Sequence, residues 1–235
     1  MPHDGQDMPM TPPVLLSDLL DLTNEAVPTV EKILDNALET VRELVSKDGR
    51  VNNGLIEANQ TASHGLAWLA TYVESLRQMQ KWAIKLKADG KFGETEQLIH
   101  QIAFGEYLLQ IQGGIQMNQG EVLRMQDLGI DLGTTFETDA IKTLMAAGNT
   151  QAARSRLSEL IEETSANLTV GASGLDEELE MIREQFRRFS VDRVEPYAHE
   201  WHLKDELIPM KIIEEMAELG VFGLTIPEEF GGFGL

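Results

Sequence analysis

The stretch Leu224–Leu235, which reads LTIPEEFGGFGL, has the composition of a packed and shaped loop. Pro227 fixes one backbone angle and lacks an amide donor, and three closely spaced glycines permit backbone angles that other residues avoid. Phenylalanine and leucine side chains lie between these glycines. An amphipathic helix is predicted just before the loop, over 210–219, with Gly220 in the position of a C-terminal cap. The sequence therefore predicts a helix, a turn and a glycine loop.

Three signals occur in a fixed order between residues 175 and 235. Phe186 and Phe189 lie in a charged helix that ends near Pro196, an Ile-Pro pair at 208–209 begins the next helix, and the run LGVFGLTIPEEFGG follows. In this order they resemble the start of the acyl-CoA dehydrogenase domain. That flavoenzyme family oxidises acyl-CoA thioesters to enoyl-CoA thioesters. The alternative interpretation is an ordinary helix-loop-helix with a glycine turn.

The resemblance implies chemistry that this stretch of sequence does not itself carry. Acyl-CoA dehydrogenases have an N-terminal helical domain, a middle β-domain and a C-terminal helical domain, and FAD is held largely by the last two and a neighbouring subunit. A carboxylate base, usually Glu, removes the α-proton while the β-hydride passes to flavin, and the electrons leave to electron-transferring flavoprotein. The resemblance covers only the first helices, so no catalytic, cofactor-binding or metal residue is assigned. The family also implies a homodimer or homotetramer.

Apolar residues recur at helical spacing through most of the chain that precedes this region. The pattern predicts five helices before residue 170, at 27–45, 53–88, 95–125, 136–147 and 150–168. Pro28 is expected at the start of the first helix and Gly49 as its cap. The glycines at 105, 113 and 114 indicate close helix packing or a local kink, and close packing is the favoured interpretation. No strand pattern is recognised. The predicted fold class is therefore all-α, a helical bundle extension followed by the first helices of the dehydrogenase N-terminal domain.

The predicted organisation has three parts. Residues 1–13 form a disordered lead without the basic opening and apolar run of a signal peptide, 14–172 form the helical extension, and 173–235 begin the dehydrogenase domain. The small residues of the run at 171–174 make it the best candidate for a flexible linker. Most members of the family lack such an extension, whereas one bacterial member is similar in having it.

Composition narrows the classes of partner. The formal net charge of −20, from 39 acidic and 19 basic residues, argues against nucleic-acid binding, because phosphate backbones are bound by clustered Lys and Arg. The chain contains no Cys, which excludes disulfides, thiolate metal sites and a cysteine nucleophile. No apolar run of about 18 residues predicts a membrane span. A cytoplasmic protein is expected.

The spacing of the His, Glu and aromatic residues does not predict a metal, acid/base or ligand site. A di-iron helical bundle would place Glu three residues before His, and none of the five His residues has this spacing. Glu96 and His100 share a helix face, for which a surface contact is the favoured interpretation. For the cluster His199, Glu200 and His202 near a helix end, capping or solvent exposure is favoured over metal binding. Aromatic rings at helical spacing are expected to fill the core: Trp68, Tyr72, Trp82 and Tyr107. The adjacent pairs Glu214-Glu215 and Glu228-Glu229 do not suit joint acid/base work.

Two alternatives to the favoured function stay open. The expected protein is the front part of a longer acyl-CoA dehydrogenase that binds FAD outside this chain. A dehydrogenase of the same family with another acyl substrate would share its fold and cofactor. A non-catalytic helical interaction module is the alternative from a different class.

Overall fold

The computed structural model describes residues 13–164 and 170–235, and the chain divides into two compact units, Met1–Gly174 and Leu175–Leu235. The expected lead lies outside the described residues, apart from Pro13. The first unit contains the helices α1 (Leu19–Val45), α2 (Asn53–Ala58), α3 (Gln60–Ala88), α4 (Glu94–Gly113), α5 (Asp139–Ala147) and α6 (Gln151–Glu163). The second contains α7 (Glu177–Phe189), α8 (Glu195–Leu203) and α9 (Met210–Glu218). The predicted helical class is confirmed.

The first unit is a helical bundle around one continuous apolar core. Helix α1 packs on α3 and α5, and α4 packs on α3, α5 and α6. Side chains that are almost completely buried fill the space between them: Val30, Leu69, Leu76, Phe104, Leu108, Ile111 and Leu144. Along α4, Phe104, Leu108 and Ile111 follow one another at steps of four and three positions, as the periodicity predicted.

Two small antiparallel hairpins show that the expectation of no strands was wrong. Strands β1 (Ser46–Lys47) and β2 (Arg50–Val51) flank a two-residue turn at Asp48 and Gly49, which both have positive φ. This is the turn that a right-twisted hairpin favours. Gly49 is therefore a hairpin residue and not a helix cap.

The second hairpin lies inside the segment predicted as the end of the third helix. Helix α4 stops at Gly113, because Gly114 adopts φ +133°, and β3 (Ile115–Asn118) then pairs with β4 (Glu121–Leu123). The Leu123 side chain fills the space that Gly65 leaves in α3, since a Cβ there would be 2.3 Å from Leu123 Cδ1. Buried Ile115, Met117 and Leu123 give this hairpin an apolar face that sequence periodicity alone assigned to a helix.

Other helix boundaries differ for local reasons. Helix α1 begins at Leu19, well before Pro28, so the proline lies inside the helix, where burial of Ala26 and Val30 compensates for the lost amide donor. The predicted helix 53–88 is interrupted at Asn59, and the helix predicted from Phe136 begins at Asp139 after a 3₁₀ turn at 133–136. The end of the predicted helix 150–168 lies partly outside the described residues, beyond Glu163 of α6.

One of the three glycines predicted to allow close packing is confirmed. A Cβ on Gly105 would lie 2.6 Å from the backbone N of Asn149, so α4 approaches the turn between α5 and α6 at backbone distance. Gly113 has no atom within 4 Å of an added Cβ and ends α4 together with Gly114. Close approach of α4 to the α5–α6 turn therefore explains Gly105, whereas Gly113 and Gly114 mark the turn into the hairpin, where a Cβ on Gly114 would lie 2.7 Å from Val122 Cγ1.

Candidate functional site

The glycine loop of the second unit is a closed structure with its own hydrogen bonds. Helix α9 starts after Pro209 and ends before Gly220, which adopts the left-handed conformation, and this confirms the predicted cap. Two 3₁₀ turns follow, at Val221–Gly223 and Glu228–Phe230. The amide of Phe233 then donates to the Gly223 carbonyl at 2.9 Å, and the amide of Leu235 donates to the Leu224 carbonyl at 2.8 Å. The run is an ordered loop that returns to the end of α9.

At the closely packed glycines of this loop, the space that a side chain would need is occupied by another residue of the same loop. An added Cβ on Gly220 would lie 2.6 Å from Phe233 Cε2, and one on Gly232 would lie 2.0 Å from the Ile226 carbonyl oxygen. These glycines therefore permit packing within the loop. They do not leave an open backbone cradle of the kind that binds a nucleotide phosphate, and the loop does not fit a flavin phosphate site.

One ion pair links α9 to the segment between α7 and α8. Residues Ser190–Val194 form a π-helical turn that places Arg193 opposite Glu215. Arg193 Nε lies 2.9 Å from Glu215 Oε2 and Arg193 Nη2 lies 2.5 Å from Glu215 Oε1. The hydrogen bond from Arg193 lowers the pKa of Glu215, so this carboxylate stays charged as a structural partner. Its neighbour Glu214 is exposed to solvent.

The second unit exposes unusually many large apolar side chains. The exposed fraction is 91% for Leu207, 75% for Phe230, 70% for Leu203 and 66% for Met210, and Ile212 is the buried apolar residue of this unit. An apolar surface of this kind is typical of a contact with further protein. Tyr197 and Trp201 stack on the same helix α8 with ring centroids 5.9 Å apart.

The interpretation of Glu96 and His100 as a surface contact was wrong. Glu96 is 8% exposed and His100 is fully buried. The Glu96 carboxylate accepts two backbone hydrogen bonds, from Gly93 N at 3.0 Å and from Ala172 N at 2.7 Å. Glu96, His100 and Phe104 are four residues apart and form one row on the core side of α4. This spacing is visible in the sequence, but the row was assigned to the surface of the helix. Both cluster residues His199 and His202 are exposed, as expected.

Gln101 is a structural polar residue that sequence reasoning missed. Its side chain is fully buried; Oε1 accepts from Leu16 N at 2.8 Å, and Nε2 donates to the Val14 carbonyl at 2.9 Å and the Gly148 carbonyl at 3.2 Å. We call this set of bonds the Gln101 clasp. It joins the start of the described chain to the turn between α5 and α6. A single Gln in a helix carries no sequence signal that would distinguish it from a surface residue.

The aromatic residues mostly serve packing, as predicted. Tyr72 is buried and stacks on Tyr107 with centroids 4.5 Å apart, while Trp68 packs against the same core. Trp82 and Tyr107 also line an open groove of about 700 Å³ between α3, α4 and α6. Its two charged residues, Glu106 and Arg154, are both hydrogen-bonded to the Asn149 side chain. In the described ranges, groups of three or more potential metal ligands do not occur.

Within residues 13–164 and 170–235, no helix has both the length and the apolar character needed to cross a membrane.

Comparison with known proteins gives the same assignment for the second unit. Residues 176–235 match the family model described as "Acyl-CoA dehydrogenase, N-terminal domain". The chain is also 36% identical over 61 residues to glutaryl-CoA dehydrogenase of Desulfococcus multivorans, which covers 26% of this chain and 16% of that protein. It is 30% identical over 98 residues to mitochondrial isobutyryl-CoA dehydrogenase of Dictyostelium discoideum, which covers 40% of this chain and 23% of that protein.

A further relative is similar to nearly the whole chain. The (2S)-methylsuccinyl-CoA dehydrogenase of Cereibacter sphaeroides is 59% identical over 226 residues, which cover 96% of this chain. Most of the aligned positions must lie in the first unit, because the second comprises only 175–235. The chain spans 41% of the length of that relative and smaller fractions of the other two. The family resemblance seen in the glycine loop is thereby confirmed: residues 176–235 match the acyl-CoA dehydrogenase N-terminal domain.

Proposed function

We propose that this chain is the N-terminal part of an FAD-dependent acyl-CoA dehydrogenase whose substrate is (2S)-methylsuccinyl-CoA. The observation that carries the proposal is the 59% identity to (2S)-methylsuccinyl-CoA dehydrogenase, which extends over 96% of this chain and therefore includes the helical extension. The relatives with other acyl-CoA names match 40% of the chain or less. The extension thus favours this substrate over those of the other relatives.

The proposed reaction is a desaturation of the acyl group. Removal of an α-proton and transfer of a β-hydride to the flavin would convert (2S)-methylsuccinyl-CoA to mesaconyl-CoA, a step of the ethylmalonyl-CoA pathway. FAD would supply the hydride acceptor. The loop that holds Gly220 and Gly232 is filled by its own side chains, so we assign no described residue to the flavin and none to the catalytic base.

The apolar surface of the second unit supports the proposal that this chain is part of a larger protein. Leu203, Leu207 and Phe230 are each at least 70% exposed, and further protein packed on them would remove this surface from water. We propose that the remainder of the dehydrogenase covers these residues. The proposed whole protein is a cytoplasmic homodimer or homotetramer that passes its electrons to electron-transferring flavoprotein.

A direct assay tests the substrate. The enzyme that contains this chain should be purified with its flavin and mixed with (2S)-methylsuccinyl-CoA, glutaryl-CoA and isobutyryl-CoA in separate reactions. Flavin bleaching and release of an unsaturated thioester are expected with (2S)-methylsuccinyl-CoA. Faster bleaching with either other thioester would assign another substrate, and a protein without flavin would favour a non-catalytic interaction module. Residues 1–235 produced alone are expected to be colourless.

The extension is proposed to cover the dehydrogenase core or a subunit interface, because α1, α3 and α4 form a large packed body without assigned site chemistry. Deleting residues 1–172 from the whole enzyme should therefore change its mass in solution or lower its flavin content. Light scattering and flavin absorbance measure both quantities. An unchanged oligomer with full flavin would contradict this role.

A further inference from the structure

The segment after α6 is fastened to the bundle at several points. We call residues 170–174 the junction strap, because they are the last residues of the first unit, before Leu175. Trp82 Nε1 donates to the Ala172 carbonyl at 3.0 Å, and Lys85 Nζ donates to the Gly174 carbonyl at 2.5 Å. In the opposite direction, the Ala172 amide donates to Glu96 Oε1 at 2.7 Å. Side chains from α3 and α4 thus bind both backbone polar groups of Ala172, and Lys85 binds the end of the strap.

Glu96 is the most strongly constrained of these partners. Its carboxylate is 8% exposed, and its second oxygen accepts from the Gly93 amide at the start of α4. A carboxylate in the first turn of a helix also interacts favourably with the helix dipole. Hydrogen bonds to an ionised acceptor are stronger than those between neutral groups. The Ala172 amide is therefore bound to an acceptor that is itself fixed.

The backbone of the strap fits closely to the surface beneath it. Gly171 and Gly174 both have positive φ, at 78° and 74°, which other residues adopt only with strain. A Cβ on Gly171 would lie 3.2 Å from Glu96 Oε1, and one on Gly174 would lie 2.9 Å from Trp82 Cδ1. The two glycines let the chain lie against the same two side chains that bind Ala172.

We propose that the junction strap is a fixed anchor, latched to the bundle by Glu96 and Trp82, and not a flexible linker. The sequence predicted a flexible linker here because Gly, Ala and Ser are small. Small residues also allow close approach to a surface, and the hydrogen bonds of Ala172 favour that second use. This proposal concerns the first unit alone and is independent of the proposed substrate.

Amide hydrogen exchange of the 235-residue chain, followed by NMR, tests the latch. The Ala172 amide is expected to be protected, and both Glu96→Ala and Trp82→Phe should accelerate its exchange about tenfold or more, since each removes a hydrogen bond to this residue. Matched controls are Glu94→Ala in the same helical turn and Trp68→Phe in the same helix. Glu94 pairs with Arg156 and Trp68 donates to His64, so the controls should leave Ala172 exchange unchanged.

The two latch variants distinguish the effect of opening the strap from the effect of losing the helix cap. Glu96→Ala also removes the acceptor of the Gly93 amide, whereas Trp82→Phe leaves that cap intact. Acceleration in both variants, with helical circular dichroism retained, would support the latch. Acceleration in Glu96→Ala alone would assign the effect to the cap and overturn the proposal. An unprotected Ala172 amide in the unaltered chain would overturn it as well.

Discussion

The Nε2 atom of His100 lies 3.1 Å from the Thr23 hydroxyl oxygen and joins α4 to α1 inside the core. The Thr23 hydroxyl itself donates to the Leu19 carbonyl at 3.0 Å, so it accepts from His100. This assigns the Nε2–H tautomer to the neutral ring. The second nitrogen, Nδ1, is buried without a hydrogen-bond partner among the described residues. A proton on Nδ1 would place an unpaired charge in the core.

The stability of the first unit is expected to fall in mild acid because of this histidine. Burial lowers the pKa of His100 from 6.5 to about 4. The unfolded chain therefore takes up this proton first, so stability is full above about pH 6.5 and is lost as the pH falls towards 4. The loss from this group is roughly 2–3 kcal/mol at pH 4.5, at 1.36 kcal/mol per pKa unit. Urea unfolding at pH 7.5 and 4.5 measures it.

His100→Gln is the matched variant for the acid effect, since its amide nitrogen can still donate to Thr23 while the titrating group is gone. The unfolding free energy of this variant should depend less on pH over the same interval. Equal pH dependence in both proteins would show that other groups cause the acid sensitivity.

Two glycines of α4 should respond in opposite directions to alanine. Gly105→Ala places a methyl group 2.6 Å from the Asn149 backbone N, and the resulting overpacking is expected to cost about 1–3 kcal/mol. Gly113→Ala meets no atom within 4 Å and should be neutral or stabilising by up to about 1 kcal/mol through helix propensity. Chemical denaturation compares the two variants. Destabilisation of similar size in both would contradict the close approach at Gly105.

Replacing Gln101 by Met should strongly destabilise the first unit. Met keeps a side chain of similar length but cannot bond the Leu16 amide or the Gly148 carbonyl, which then lose buried partners. Each unsatisfied buried polar group costs about 1–3 kcal/mol. The midpoint and slope of urea unfolding measure the change. Gln112→Met, at an exposed position of the same helix, is the control and is expected to change stability little.

The glycine loop should tolerate alanine at Gly231 better than at Gly232. A Cβ on Gly232 would lie 2.0 Å from the Ile226 carbonyl, which accepts the Gly234 amide at 2.9 Å, so Gly232→Ala must open this part of the loop. Gly231→Ala meets no atom within 4 Å and incurs only the backbone strain of φ +84°. Amide exchange at Phe233 and Gly234 distinguishes the variants. Faster exchange in Gly231→Ala than in Gly232→Ala would contradict the loop packing.

Sequence periodicity predicted most helices, because a long apolar face with helical spacing, such as that of α3, fits a helix and does not fit a strand. It failed at 115–123, where apolar residues at alternate positions in a short strand also fit a helical pattern. The decisive information was the positive φ of Gly114 and the packing of Leu123 on distant Gly65.

The burial of polar side chains was the other feature that could not be predicted from the sequence. Glu96 and Gln101 are both buried with hydrogen-bond partners that lie far along the chain, and a helical pattern does not reveal such partners. The glycine loop was predictable, since its signals are local and ordered.

The Gln101 clasp also has a consequence for synthesis of the protein. It binds Val14 and Leu16 near one end of the first unit and Gly148 near the other, and these contacts span 85 to 87 positions on one side and 47 on the other. A chain emerging from the ribosome exposes its N-terminal helices first, and long-range contacts form only when both partners are present. The clasp, like the packing of α1 on α5, can therefore be completed only after residue 148 has been translated and released from the exit tunnel.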